Sequence, residues 1–408
     1  MIINDRTINP DILQKARHII QERFATDCKI TSALFLSEPD RRNVVLRITL
    51  QSTSSVVPKS IILKQSLPEQ SDTDDKDAYA RFARDWAGLE FISGIQQSVH
   101  NVPQFYGGSK EHRFILIEDL GSHHFSLVDS LTLPNRDKAV SALERFMKAL
   151  GSFHATSFGH TDNYERILKE INKDAETLQE DLNFTFNDLL PKLESANKKL
   201  GLAVTSELTD EARHLIESMF KPGPFTVLTH GDICPDNVFD HEESRELQLI
   251  DFEWTFARNA LLDGTYLRMS MPTCWCAKAI PDDVIEPLEL IYREELKRTI
   301  PTASNDLAYA TAYTQACGFW VLRAILYLDN ILDKDDVWLS GPVPENSLWI
   351  ASTNLVRPRF LSRLQAFVDV ASKHDMLPNL REMATNMLVK VKAHWPDAKL
   401  LELYPAFQ

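Results

Sequence analysis

The stretch "LTHGDICPDNVF", Leu228–Phe239, decides how this chain is read. It sets His230, Asp232 and Asn237 among apolar residues that otherwise suit buried strands. A second run, "LQLIDFEW", Leu247–Trp254, follows and passes from apolar residues to Asp251. A loop leaving a strand can aim Asp232 into a cleft. Asn237, five residues on, falls where the chain turns back, so its amide oxygen can face the same metal ion as Asp251. Phosphoryl transfer from a nucleotide needs these parts: an acid near the acceptor hydroxyl and oxygen ligands for Mg²⁺. Either fragment alone reads as a glycine-containing turn or a hairpin, because short patterns recur by chance. Their joint occurrence, followed by an apolar strand and an acid, is specific.

Outward from this pair the chain changes character twice. After a helical start, "ITSALFL", "NVVLRITL" and "SIILKQ" are short, apolar and rich in β-branched residues, and the turn-like "SEPDRRN" separates the first two. "AYARFARDWAGLEFISGI" has helical spacing, and "RFILIEDLG" is one more buried strand. Beyond Gly121, "RDKAVSALERFMKALGSFHATSF" lines up Val140, Leu143, Phe146, Met147, Leu150 and Phe153 as one helical face. Residues 161–220 and 281–408 are helix-prone. The expected class is α+β, with a small β-rich N-terminal lobe over residues 1–120 and a larger, mainly helical C-terminal lobe over 121–408.

Composition excludes several classes. At 408 residues, 44% apolar and 25% charged, the chain is ordinary globular material. No apolar run reaches bilayer-spanning length, and the N-terminus lacks the pattern of a secretory signal, so a cytoplasmic protein is expected. A net charge of −14 opposes general affinity for nucleic acid or anionic membrane. Five cysteines in a long chain suggest reduced thiols. Cys274 and Cys276 form a C-x-C, but Cys28, Cys234 and Cys317 are isolated in sequence and no second pair completes a zinc set. Packing is the expected role of all five. His154, on the apolar face of its helix, and His230 are expected to be structural.

The chain resembles the aminoglycoside phosphotransferase and choline kinase superfamily, small-molecule kinases with a protein-kinase-like two-lobed fold. "HGDICPDN" and "LIDFEW" match that superfamily's catalytic-loop and metal-binding signatures, "LIEDLG" its hinge and "ALGSFHA" one of its helices, over about Ile30 to Arg268. The resemblance implies ATP and Mg²⁺ as cofactors and a small-molecule hydroxyl as acceptor. It makes Asp232 the catalytic acid–base group and Asn237 and Asp251 the metal ligands. Lys64 would meet the α- and β-phosphates, braced by an acid of the following helix. Asp85 aligns with that acid, which is usually Glu; Glu90 is the alternative. Glu118 and Leu120 would present main-chain groups to the purine.

Two features depart from the pattern. The first glycine of the chain is Gly88, so the turn expected over the phosphates has none and offers Ser37, backbone amides, Arg41 or Arg42 instead. That leaves ATP and GTP both open, and keeps a catalytically silent nucleotide-binding module as the alternative reading. After Asp251 no DFG or APE appears, which disfavours a protein kinase. For the acceptor, Glu253 beside Asp251 and an aromatic wall drawn from Trp254, Trp275, Trp320 and Trp349 favour a cationic or amine-bearing alcohol.

Overall fold

The computed structural model describes residues 8–39, 41–95, 101–175, 178–336 and 354–408, with side chains omitted for 178–184. The chain divides into two compact units. The first comprises Met1–His124, Asp162–Ala175 and Ile250–Trp254, and the second Phe125–Thr161, Glu176–Leu249 and Thr255–Gln408.

The first unit opens with helix α1, Pro10–Phe24. Pro10 suits the first helical turn, and the Asn9 side chain caps it by accepting from the Asp11 amide at 2.9 Å. Strands β1 (Lys29–Phe35), β2 (Asn43–Gln51) and β3 (Ser60–Ser66) precede helix α2, Asp72–Ile95. Strands β4 (Phe105–Ser109) and β5 (Phe114–Glu118) complete an antiparallel sheet of order β1-β2-β3-β5-β4. Ile12, Ala16 and Ile20, four residues apart on α1, pack into one cluster with Leu46, Ile48, Leu50, Ile61, Leu63, Phe114 and Leu116. Each fully buried aliphatic side chain there contributes about 1.5–3 kcal/mol. Strand alternation turns Lys64, next to Leu63, to the opposite face of the sheet.

The second unit is mainly helical. It contains α3 (Leu127–Thr132) and α4 (Arg136–Ser157); α5 (Thr161–Ile171), from Asp162 on, belongs to the first unit. Helices α6 (Leu178–Lys199) and α7 (Ser206–Phe220) follow. Four short strands make two antiparallel pairs: β6 (Thr226–Thr229) with β9 (Phe256–Asn259), and β7 (Val238–His241) with β8 (Glu246–Leu249). Then come α8 (Leu261–Gly264), α9 (Asp282–Lys297), α10 (Asp306–Ile325), α11 (Leu328–Asp333), α12 (Val356–His374) and α13 (Pro378–His394).

Helix α4 is the spine of this unit. Leu143, Phe146, Met147, Leu150 and Phe153 are buried as the periodicity requires; Val140 is only half-buried, and Ala139 takes its place inside. Gly151 lets α9 approach closely, since a Cβ there would lie 2.7 Å from that of Glu295 and 2.9 Å from the Tyr292 carbonyl. Arg145 donates to both carboxylate oxygens of buried Asp240 at 2.7 Å and so ties α4 to β7. The class is α+β, with the antiparallel sheet and most helices segregated in sequence. Among the described residues no helix is long and apolar enough to cross a membrane.

Candidate active site

In the first unit the structure gathers Lys64, Asp85 and Asp251. Lys64 Nζ lies 2.7 Å from an Asp85 oxygen and 2.5 Å from an Asp251 oxygen. Burial works against the Lys64 charge, but the Asp251 and Asp85 carboxylates outweigh it and hold the ammonium above its ordinary pKa. Burial raises the Asp85 carboxyl, with Lys64 and the Phe252 amide opposing.

Asp85 does more than pair with Lys64. Its other oxygen accepts the Phe252 amide at 2.9 Å. Asp251, one residue earlier, has φ 71°, a left-handed conformation that a non-glycine residue keeps only when its surroundings impose it. The Asp85–Phe252 bond is such a constraint, and it fixes Asp251 against Lys64. The family resemblance favours Asp85 over Glu90, which helical spacing puts on another face, and Lys64 is paired with Asp85. Glu90 accepts the indole N–H of Trp86 at 2.6 Å and is drawn to the α2 surface instead. Asp85→Asn is therefore expected to weaken nucleotide binding about tenfold, some 1.4 kcal/mol, and Glu90→Gln to leave it within about twofold. Fluorescence titration with nucleotide reads both; the reverse order would remove Asp85 from the site.

Glu253 and Trp254 turn out to be engaged locally. Glu253 is 4% exposed and forms an ion pair with Arg42. Burial, and then the charge of Asp251, push its carboxyl up to about 7, against the pull of Lys64 and Arg42. Arg84 donates to the Glu253 carbonyl at 2.9 Å and lies over the Trp254 ring, 5.7 Å from its centre. These two residues thus already face protein cations, which removes the local support for a cationic acceptor. Arg42, read from sequence as a hairpin-tip or phosphate-turn residue, has this carboxylate as partner. Ser37 accepts the Val45 amide at 3.1 Å. Glu118 ends β5, donates its N–H to the Gln104 carbonyl at 2.9 Å, and precedes Leu120 by two residues. Between them Asp119 takes two hydrogen bonds from Arg47, at 2.7 and 2.9 Å, which pin the chain as it leaves the sheet.

The second unit holds Asp232 and Asn237 in the loop between β6 and β7. The Asn237 amide donates to the Asp232 carbonyl at 2.8 Å, a bond that closes the loop. Its nitrogen is used this way, so the amide oxygen is the side-chain atom left to accept or ligate. Asp232 receives the Thr273 hydroxyl at 2.5 Å and the Cys234 thiol at 3.1 Å, both on one oxygen. Burial pushes the Cys234 thiol well above its ordinary pKa, so it acts as a protonated donor.

The backbone of this loop is held by Asp263, a residue not singled out from the sequence. Asp263 is 1% exposed and accepts the His230 amide at 2.6 Å and the Gly231 amide at 3.2 Å. Gly231 has φ 79°, which suits glycine, and its carbonyl accepts from Tyr266 at 3.1 Å. His154 lies 3.2 Å from Asp263 and 2.7 Å from the Tyr292 hydroxyl, fully buried: the structural role expected of it.

Thr273 also lines a cavity of about 110 Å³ in this unit, with Trp320, Arg323, Tyr327, Arg359 and Arg363. Arg363 donates to the Pro272 carbonyl at 2.9 Å, and burial lowers its pKa. No acidic residue lines the cavity among the described residues. Of the tryptophans considered for an acceptor wall, Trp320 is on this cavity. Trp275 is buried against Asp236, Trp254 belongs to the first unit, and Trp349 lies outside the described residues.

A lysine held by two aspartates on a five-stranded antiparallel sheet, with an Asp–Asn loop in a mainly helical unit, defines the protein-kinase-like class of small-molecule phosphotransferase folds. The chain belongs to the ecdysteroid kinase-like family, whose model matches residues 43–300, more than half of its length. That family stands in the choline and aminoglycoside phosphotransferase group. No curated protein sequence matches the chain. Among solved structures it is similar to the GDP complex of wild-type aminoglycoside 2'-phosphotransferase-IIIa, at 13% identity over 89% of this chain and 99% of that one, TM-score 0.43. It is also similar to Plasmodium vivax ethanolamine kinase, at 10% identity over 94% of each chain, TM-score 0.41. A macrolide 2'-phosphotransferase type I is similar at 11% identity over 80% of this chain and 94% of that one, TM-score 0.38. The family assignment rests on the family model and not on these remote likenesses.

Proposed function

We propose that the protein transfers the γ-phosphoryl group of ATP to a hydroxyl of a small molecule, with Mg²⁺. The observation that carries this reading is the Lys64–Asp85–Asp251 cluster, in which Asp251 is held in a left-handed conformation. Lys64 would meet the nucleotide phosphates, and Glu118 and Leu120 would offer main-chain groups to the purine. Two carboxylates, Asp85 and Asp251, share the single ammonium of Lys64, and that local surplus of negative charge suits a divalent cation. Asp251 and the Asn237 amide oxygen would be its protein ligands, and the ion would neutralise phosphate charge. Asp232 orients the acceptor hydroxyl and takes its proton as the acceptor oxygen bonds to the γ-phosphorus and the bond to the β-phosphate oxygen breaks, releasing ADP. Thr273 holds the Asp232 carboxylate in place for that task.

The acceptor is better read as neutral or anionic. The cavity reached from Thr273 carries arginines and aromatic faces, and no acid among the described residues, so a cation entering it would meet like charge. The decisive experiment is purified protein with Mg²⁺, ATP or GTP, and a hydroxyl-compound library that pairs amines with neutral and carboxylated isosteres. Acceptor-dependent nucleotide consumption is expected, strongest for neutral or anionic members and weakened by Arg323→Gln. Nucleotide binding without turnover of any acceptor would favour the catalytically silent module. Preference for amines would overturn the acceptor reading alone.

A further inference from the structure

Cys234, isolated in sequence, is a neighbour in space of the Cys274-x-Cys276 pair. Cys234 Sγ, a carboxylate oxygen of Asp236 and Cys274 Sγ all lie within 4.8 Å of one another. Cys276 Sγ is 2.7 Å from Cys274 Sγ, and both are free thiols. All three cysteines are buried, at 0–4% exposure. We infer that Cys234, Asp236, Cys274 and Cys276 form a binding site for one Zn²⁺ ion.

The donor types fit that ion. Three sulfurs and one carboxylate oxygen make the S/O set of a closed structural zinc site, and metal–sulfur bonds of about 2.3 Å set the sulfurs roughly 3.8 Å apart. Cys234, Asp236 and Cys274 already form the close group, and Cys276 Sγ, 2.7 Å from Cys274 Sγ, has to swing away from that sulfur to enter as the fourth ligand on loading. The spacing is also right in kind, since Cys274-x-Cys276 supplies two ligands from one segment and Cys234-x-Asp236 two from another. The surrounding groups serve such a site as well. The Trp275 indole N–H donates to one Asp236 oxygen at 2.7 Å and so orients the carboxylate, as outer groups do around metal ligands. Arg359, buried beside Cys274, Cys276 and Cys234, places a positive charge next to them. Three thiolates and a carboxylate on Zn²⁺ carry a net charge of −2, so this cation stabilises the loaded site. Loading balances as one Zn²⁺ bound and three thiol protons released to solvent, with Asp236 entering as its carboxylate.

Position suggests the purpose. Cys234 and Asp236 lie in the loop that carries Asp232 and Asn237. Cys274 follows Thr273, the donor to Asp232. A metal bridge would lock these two segments together and hold Asp232 in register with Thr273. On loading, the Cys234 proton is lost and the Thr273 hydroxyl remains as the donor to Asp232.

The full-length protein, expressed with zinc and passed through a chelator, is expected to retain about one zinc per chain by elemental mass spectrometry. Exchange into Co²⁺ should give intense thiolate-to-cobalt absorption, with proton release during titration. Cys234→Ser/Cys274→Ser should abolish retention, and Cys317→Ser, remote from the cluster, should leave it intact. If the double variant fails to fold, the cobalt spectrum of the wild type decides alone. Wild-type protein that takes up neither metal, or whose Cys274 and Cys276 are recovered as a disulfide after purification without reductant, overturns the proposal. So does undiminished zinc in a folded double variant.

Discussion

Asp232→Asn is expected to lower kcat by ~10²–10⁴ while nucleotide affinity stays within about twofold. The substitution keeps the size of the side chain and its bond from Thr273, but leaves a group that cannot take the proton of an acceptor hydroxyl. Asp232 is held by Thr273, Cys234 and Asn237 in the second unit, whereas Lys64, proposed above to meet the phosphates, is in the first. Loss of turnover without loss of nucleotide is the signature that follows. Initial rates with the best acceptor and calorimetric nucleotide titration test it. A variant within about tenfold of wild-type kcat would remove Asp232 as the proton acceptor.

Asp263→Ala is expected to have the largest effect on stability, about 3–5 kcal/mol. The carboxylate is almost fully buried and accepts the His230 and Gly231 amides, with His154 beside it. Removing it leaves buried amides without an acceptor, each costing about 1–3 kcal/mol, and opens a small void. Asp263→Asn should cost less, because one amide oxygen can still accept one N–H. Urea unfolding of the three proteins is the measurement. An alanine variant with the wild-type midpoint, or one more stable than the asparagine variant, would show that the loop is held by other groups. Turnover should fall in the same order, since Asp232 follows Gly231 directly.

Much of this was legible in the linear chain, for a local reason. Strand alternation in "SIILKQ" marks Leu63 as core and puts Lys64 on the other face. Helical spacing in α4 marks Leu143 to Phe153. The loop segments around Asp232 and Asp251 hold their polar residues within a few positions of one another, so their joint spacing makes them candidates, to which the family resemblance attaches roles. Such signals are intrinsic to a strand, a helix or a turn and survive without knowledge of packing.

What the chain could not display are meetings between residues far apart along it. Asp85 could be aligned with the brace for Lys64, but its second bond, from the Phe252 amide 167 positions on, could not be read from the chain. Asp263 gains its meaning from amides 32 and 33 residues earlier, and Thr273 from an Asp 41 residues earlier. Glu253 seemed open to a cationic ligand until Arg42, distant in sequence, met it. Cys234 seemed alone until the chain returned at Cys274. Residue spacing encodes rise and rotation within one element, whereas these pairs depend on how elements close on one another, which the summed burial of the whole core decides.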